Sequence, residues 1–248
     1  MRATYKIILY VALSFRKNKR NKRMTEPKKR ARGPQTRNLV RVFTRNELYS
    51  LQEAAEREGI GLLFLVALST GLRRGELLGL HWQDLEMETR ALSIHRSVSL
   101  FPKSDFLERE CAPLHQRAIK LPALLVQHLQ RHQQVQHEVR QQAGEEWEER
   151  GLVFPNERGN YLSPYRLSQC FQQALEEANL PSTPFHAVRN TTISLLLMLG
   201  AEPRVVQSML GVSWRDTSTI SIAPITLDHY ENAIQRILDF LHNEGEKE

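Results

Sequence analysis

The chain has 248 residues, enough for one large domain or two small ones built around a real core. Its net charge of +6 is uneven: residues 1–41 hold fourteen Lys and Arg against the single acid Glu26, a local +13, while the remaining residues carry −7. The two cysteines, Cys111 and Cys170, lie far apart without a CxxC partner, which excludes a disulfide framework or a zinc knuckle and fits a reducing compartment.

Residues 1–41 read as a basic arm with no core of its own. Ile7 to Phe15 is apolar but shorter than the roughly 20 residues a membrane-spanning helix needs. The basic run follows it rather than preceding it, unlike a signal peptide. The run contains Lys17, Lys19, Arg20, Lys22, Arg23, Lys28, Lys29 and Arg30. Such an arm on a mildly acidic body either contacts a polyanion or is a solvated tail.

Order begins at Thr44, which forms a capping box with Glu47 and opens a helix carrying Leu48, Leu51 and Ala55. Ile60 to Ser69 is apolar all round and predicts a fully buried helix. Gly71 can close that helix, and Arg73 to Leu78 can start the next. Arg73 and Glu76 are three apart, so the carboxylate can steady the helix start or the arginine. A charge directly after the most apolar stretch is either paired or functional.

Ala91–Val98 and Arg117–Leu121 predict two short strands, joined by a long irregular connection around Pro102, Lys103 and Ser104. Pro122 opens an amphipathic helix with Leu124, Leu125, Leu129, Val135 and Val139 near one face. His128 and His132 have an i, i+4 spacing but no third metal ligand, so they are expected on a solvated face. Leu152–Phe154 predicts a third, buried strand. Ser163 and Pro164 start a helix that runs to Ala178.

Pro184 to Gly200 is a helix whose first turn presents His186 and Arg189 on one side, with Ile193, Leu196 and Leu197 continuing as an apolar stripe. HxxR alone also fits an exposed polar turn on an ordinary core helix. Pro203–Leu210 is a short helix closed by Gly211, and residues 212–225 are irregular. Thr226–Leu241 is the last helix, with Tyr230, Ile234, Ile237, Leu238 and Leu241 along one face. By position alone, Tyr230 reads as core.

Three separated pieces occur in order: Thr70-Gly-Leu-Arg73-Arg-Gly-Glu76, His186-x-x-Arg189 and Thr226-Leu-Asp-His-Tyr230. With the elements between them, they resemble the tyrosine recombinase (phage integrase) family over its catalytic domain. The resemblance implies a mainly helical α+β fold with a small antiparallel sheet. It implies a catalytic domain over 42–242, after the arm 1–41 and before a polar tail, 243–248. It also implies cutting and rejoining of double-stranded DNA through a covalent phosphotyrosine, without cofactor or metal. Arg73 and Arg189 would grip the phosphate, Tyr230 would attack, His186 would manage its proton, Lys103 would protonate the leaving oxygen, and Glu76 would give support. Self-association on DNA, a cytoplasmic location and no membrane partner are expected with it.

There are departures. Val212 stands where the family has its second histidine, with Trp214 nearby but out of register. Asn190 replaces the histidine that commonly follows the second arginine. The Gly211–Tyr230 span is long. Residues 105–116 look inserted or scrambled, so that counting back from Arg117 places the lysine near Cys111 instead of Lys103. The family's separate helical clamp, roughly a hundred residues, is replaced by the arm. These departures keep open a catalytically impaired remnant that only binds DNA. A membrane-surface protein anchored by residues 5–15 and the basic run is a third alternative.

Overall fold

The computed structural model describes residues 41–100, 106–112, 115–211 and 225–242. Eight α-helices, two single-turn 3-10 helices and five short strands occur among them. Helix α1 (Arg45–Arg57) starts at the Thr44–Glu47 capping box: Thr44 Oγ1 accepts the Glu47 N–H, and Glu47 accepts the Thr44 N–H. Helix α2 (Gly61–Thr70) is the central, nearly all-buried helix. It ends at Gly71, and α3 (Arg74–Leu78) follows with Arg73 as its N-cap.

Strands β1 (Leu85–Glu86), β2 (Ala91–Ile94), β3 (Arg96–Leu100), β4 (Phe106–Glu110) and β5 (Arg117–Lys120) come next. They form two antiparallel pieces: a sheet ordered β1-β2-β5, with Leu92 opposite Ile119 and Ile94 opposite Arg117, and a β3–β4 hairpin, with Val98 opposite Glu108. Helices α4 (Ala123–Ala143), α5 (Pro164–Glu177), α6 (His186–Met198), α7 (Pro203–Leu210) and α8 (Leu227–His242) complete the order. The result is the expected α+β fold, mainly helical with a small antiparallel sheet.

One core runs through these elements. Helix α1 packs on α2 and α5, α2 on α6, and α6 on α8, while α7 and α8 lie against β5. Gly75 lets α3 sit on the hairpin: a Cβ there would lie 2.4 Å from Ser97 Oγ and 2.7 Å from the Val98 carbonyl.

The predicted Ala91–Val98 strand is two strands. It breaks at His95 because Arg96 is drawn away to Asp84 (2.9 Å) and His81 (3.2 Å), so β2 and β3 enter different sheets. Residues 106–110, expected to be irregular, form β4. This strand is tied down by Glu108, which accepts from the Tyr161 hydroxyl and from His81 Nε2. Leu152–Phe154 is buried as expected but makes only an isolated bridge, His81 to Leu152, instead of a strand. On α6 the buried stripe is Ala187, Val188, Thr191, Thr192, Leu195 and Leu196, whereas Leu197 is exposed. His132 is not on a solvated face. Its Nε2 donates to the Val153 carbonyl at 2.7 Å, and its ring packs between Trp82 and Phe154, with centroids 6.0 and 5.5 Å away.

Candidate active site

The site forms where the ends of α2, α6 and α7 meet. Gly71 closes α2 at φ 63°, in the left-handed region. A Cβ there would also lie 2.3 Å from Leu210 Cδ2, so a larger residue would displace that buried side chain. Arg189, on the first turn of α6, spans the junction. Its guanidinium donates to the Gly71 carbonyl through Nη1 and to the Leu210 carbonyl through Nη2 at 2.8 Å. Both carbonyls lie at helix C-termini, where unpaired acceptors and the helix dipole favour a cation. Burial pushes the Arg189 guanidinium down to about 10, with repulsion from Arg73 acting in the same direction. It therefore remains charged at neutral pH.

Arg73 reaches the same place from the other side. Its Nη2 donates to the Gly211 carbonyl at 3.1 Å, its Nη1 to Glu76 Oε1 at 2.8 Å, and its backbone N–H to Glu76 Oε2 at 2.9 Å. Glu76 is 1% exposed. Burial opposes its ionisation, but hydrogen bonds and charge from Arg117, then from Arg73, outweigh that and hold the carboxyl below its ordinary range. Glu76 is thus a buried anion that joins Arg73 to Arg117.

Tyr230 lies on the inner face of α8 and is 8% exposed. Its hydroxyl is 2.7 Å from Ser208 Oγ, on α7. Helix α8 is held against the sheet by ion pairs from Lys120 to Asp228 (2.6 Å) and Glu231 (3.0 Å), and from Arg90 to Glu231 (2.6 Å). These pairs tie the first turns of α8 to the sheet on either side of Tyr230. His186 is exposed at the start of α6, one turn before Arg189.

Arg73, Glu76, Arg189 and Tyr230 therefore converge on one helix end, with His186 on the adjoining turn. Lys103, the arm residues from Lys17 to Arg30, Val212 and Trp214 lie outside the described residues. Asn190 follows Arg189 on α6 and is half-buried.

Two residues of the site were not singled out from sequence. Ser208 carried no periodic or motif signal. Arg117 carried none either: its part shows only once Glu76, 41 residues away, is buried against it and takes donors on both oxygens. Among the described residues, no group of three or more His, Cys, Asp or Glu could hold a metal ion, and no helix is long and apolar enough to cross a membrane.

The two guanidiniums sit on adjacent carbonyls and could offer donors to an oxyanion, while the phenol reaches the same helix through Ser208. Comparison with known proteins bears on its origin. A tyrosine recombinase XerC-like protein of Caldanaerobacter subterraneus subsp. tengcongensis is 31% identical over 186 residues, covering 70% of this chain and 48% of that protein. An integrase of Saccharopolyspora erythraea is 24% identical over 215 residues, covering 66% of this chain and 49% of that protein. The chain thus spans about half the length of the curated relatives it matches.

In fold, the chain is similar to the Tn1549 transposon integrase solved in complex with transposon right end DNA. The TM-score is 0.63 at 19% identity, over 81% of this chain and 67% of that one. The model of the phage integrase family matches residues 41–222, most of the described body and the stretch that carries both arginines, and so the chain belongs to the phage integrase family.

Proposed function

We propose that this protein is a site-specific recombinase that cuts and rejoins double-stranded DNA through a covalent phosphotyrosine on Tyr230. The observation that carries the proposal is the meeting of three distant side chains at the end of α7. The adjacent carbonyls of Leu210 and Gly211 each hold one guanidinium, and Ser208 holds the phenol.

A phosphodiester offers two charged non-bridging oxygens, stronger acceptors than the neutral carbonyls that now engage the guanidiniums. Arg73 and Arg189 would neutralise the charge that builds on those oxygens as phosphorus becomes five-coordinate. The Tyr230 oxygen, released from Ser208, forms the new O–P bond while the bond to the 5′ oxygen breaks. His186 takes the phenolic proton, and Lys103 gives a proton to the departing 5′ oxygen. The phosphate ester is kept in the phosphotyrosine, so attack by a 5′ hydroxyl reverses the same steps and rejoins a strand.

In this proposal residues 42–242 form the catalytic unit and 243–248 a polar tail. Residues 1–41 form an arm whose Lys17, Lys19, Arg20, Lys22, Arg23, Lys28, Lys29 and Arg30 neutralise backbone phosphates. Binding is then strongly salt-dependent, because each neutralised phosphate releases counterions. Exchange between two sites needs several protomers, so the protein self-associates on DNA. The kinship with integrases points to a mobile element as the source of that DNA, encountered in the cytoplasm.

The test is incubation with a nicked duplex that traps the intermediate, followed by a denaturing gel. A protein–DNA adduct that disappears in Tyr230→Phe supports the proposal. A gel shift with no adduct at any salt concentration would reduce the protein to a DNA-binding remnant.

A further inference from the structure

We propose that Arg117, the first residue of β5, is the positioning residue that fixes both phosphate-gripping arginines and the nucleophile in one frame. Its part in the chemistry rests on the recombinase proposal above, but its geometry does not.

The Arg117 side chain is 8% exposed. Its Nε donates to the Met209 carbonyl at 2.6 Å. Its Nη1 donates to the His115 carbonyl at 2.9 Å and to Glu76 Oε1 at 3.2 Å, and its Nη2 to Glu76 Oε2 at 3.0 Å. Four of the five N–H donors of a guanidinium are thereby used within the protein. Arg117 is therefore built to hold other groups, not to hold DNA.

What it holds is the relevant point. Four consecutive residues at the end of α7 each engage a different side chain of the site. Ser208 meets the Tyr230 hydroxyl, the Met209 carbonyl accepts from Arg117, the Leu210 carbonyl from Arg189, and the Gly211 carbonyl from Arg73. Arg117 also reaches Arg73 through Glu76, whose two oxygens each accept from both arginines. Removing Arg117 frees the middle of this run and leaves Glu76 bound on one side only. The guanidinium of Arg73 and the two carbonyls would then move independently. A misplacement of about 1 Å at a reacting centre can cost on the order of 100-fold in rate.

The experiment uses Arg117→Lys, which keeps the charge. A single ammonium is a point donor and cannot span both Glu76 oxygens and the Met209 carbonyl together. Adduct formation at saturating nicked duplex is expected to slow on the order of 100-fold, with duplex affinity in a gel shift unchanged. In a second arm without DNA, inorganic phosphate is titrated into the protein and followed by NMR. Arg117→Lys is expected to weaken phosphate binding as much as Arg73→Ala does, and the double variant to be no worse than either, because the two residues act as one unit.

If the wild-type protein forms no adduct but the phosphate losses are non-additive, the cleavage proposal fails and the positioning role stands. Additive phosphate losses, or wild-type rates and affinities in Arg117→Lys, overturn it. So does a fall in rate, duplex affinity and melting temperature together, which would make Arg117 a stabilising residue only.

Discussion

The Tyr230 hydroxyl lies 2.7 Å from Ser208 Oγ, so the proposed nucleophile is bound to the same short helix that binds both proposed phosphate-gripping arginines. The contact is a latch. A phenol held by the exposed Ser208 cannot at the same time attack a phosphate, and attack requires the bond to open. Ser208→Ala removes the latch, so the Tyr230 hydroxyl loses the bond that holds it to α7 and emerges more readily. A net hydrogen bond of about 0.5–1.5 kcal/mol corresponds to adduct formation about 2- to 12-fold faster. Single-turnover trapping on the nicked duplex reads this directly. A slower variant would mean that Ser208 orients the phenol for attack instead of restraining it.

Glu76 joins Arg73 to Arg117 and is almost fully buried, so its loss strands two cations. Glu76→Ala is expected to cost about 3–5 kcal/mol in urea unfolding, the range for breaking a buried pair by removing one partner. Its carboxyl sits below the ordinary range in the folded state. The stability it contributes is therefore present above the unfolded value, about 4.3, and is lost as pH falls through the lower folded value. Glu76→Gln should accordingly show a shallower loss of stability on acidification below about pH 4 than the wild type. Equal slopes would place the acid sensitivity elsewhere.

Much of the scaffold could be read from local chemistry. The capping box at Thr44, the closing glycines Gly71 and Gly211, and the starts at Pro122 and Ser163–Pro164 are set by a few adjacent residues, and they stand where expected. The positions of Arg73 and Arg189 at helix starts follow from the same signals. What escaped was whatever depends on distant partners. Strand β4 is pinned through Glu108 by Tyr161 and His81, 53 and 27 residues away, and no periodicity in 106–110 announces that. The break at His95 reflects the pull of Asp84 on Arg96. Ser208 and Arg117 matter only because Tyr230 and Glu76 arrive beside them. Periodicity did report that Tyr230 faces inward. The nucleophile role proposed for it came from the family resemblance, since an inward-facing position alone reads as core.

Gly71 is required twice over, by its φ of 63° and by the 2.3 Å approach that a Cβ would make to Leu210 Cδ2. Gly71→Ala adds a left-handed penalty of about 1–2 kcal/mol and an overpacking cost of about 1–3 kcal/mol. The buried Leu210 side chain must also move, which disturbs the residue whose carbonyl Arg189 holds. Urea unfolding should show a loss of about 2–5 kcal/mol. The adduct rate should fall further than the folded fraction does. A variant with lower stability but a wild-type rate per folded molecule would show that the Arg189 bridge is dispensable.

His132, on α4, supplies a pH dependence of its own. Burial lowers its folded pKa, only partly offset by the bond from Nε2 to the Val153 carbonyl. The folded state therefore resists a proton that the unfolded chain accepts near pH 6.5. The sign follows: the stabilisation is present above about 6.5 and drains away as pH falls through the lower folded value. His132→Gln keeps a donor for Val153 but loses ring packing against Trp82 and Phe154. At pH 7.5 it should be less stable than wild type by about 0.5–1.5 kcal/mol, and the gap should narrow toward pH 5.5 because the glutamine does not titrate. Thermal unfolding of both proteins across that range decides the matter. Parallel curves would assign the acid destabilisation to another group, with His128 the first alternative, because burial lowers its pKa as well.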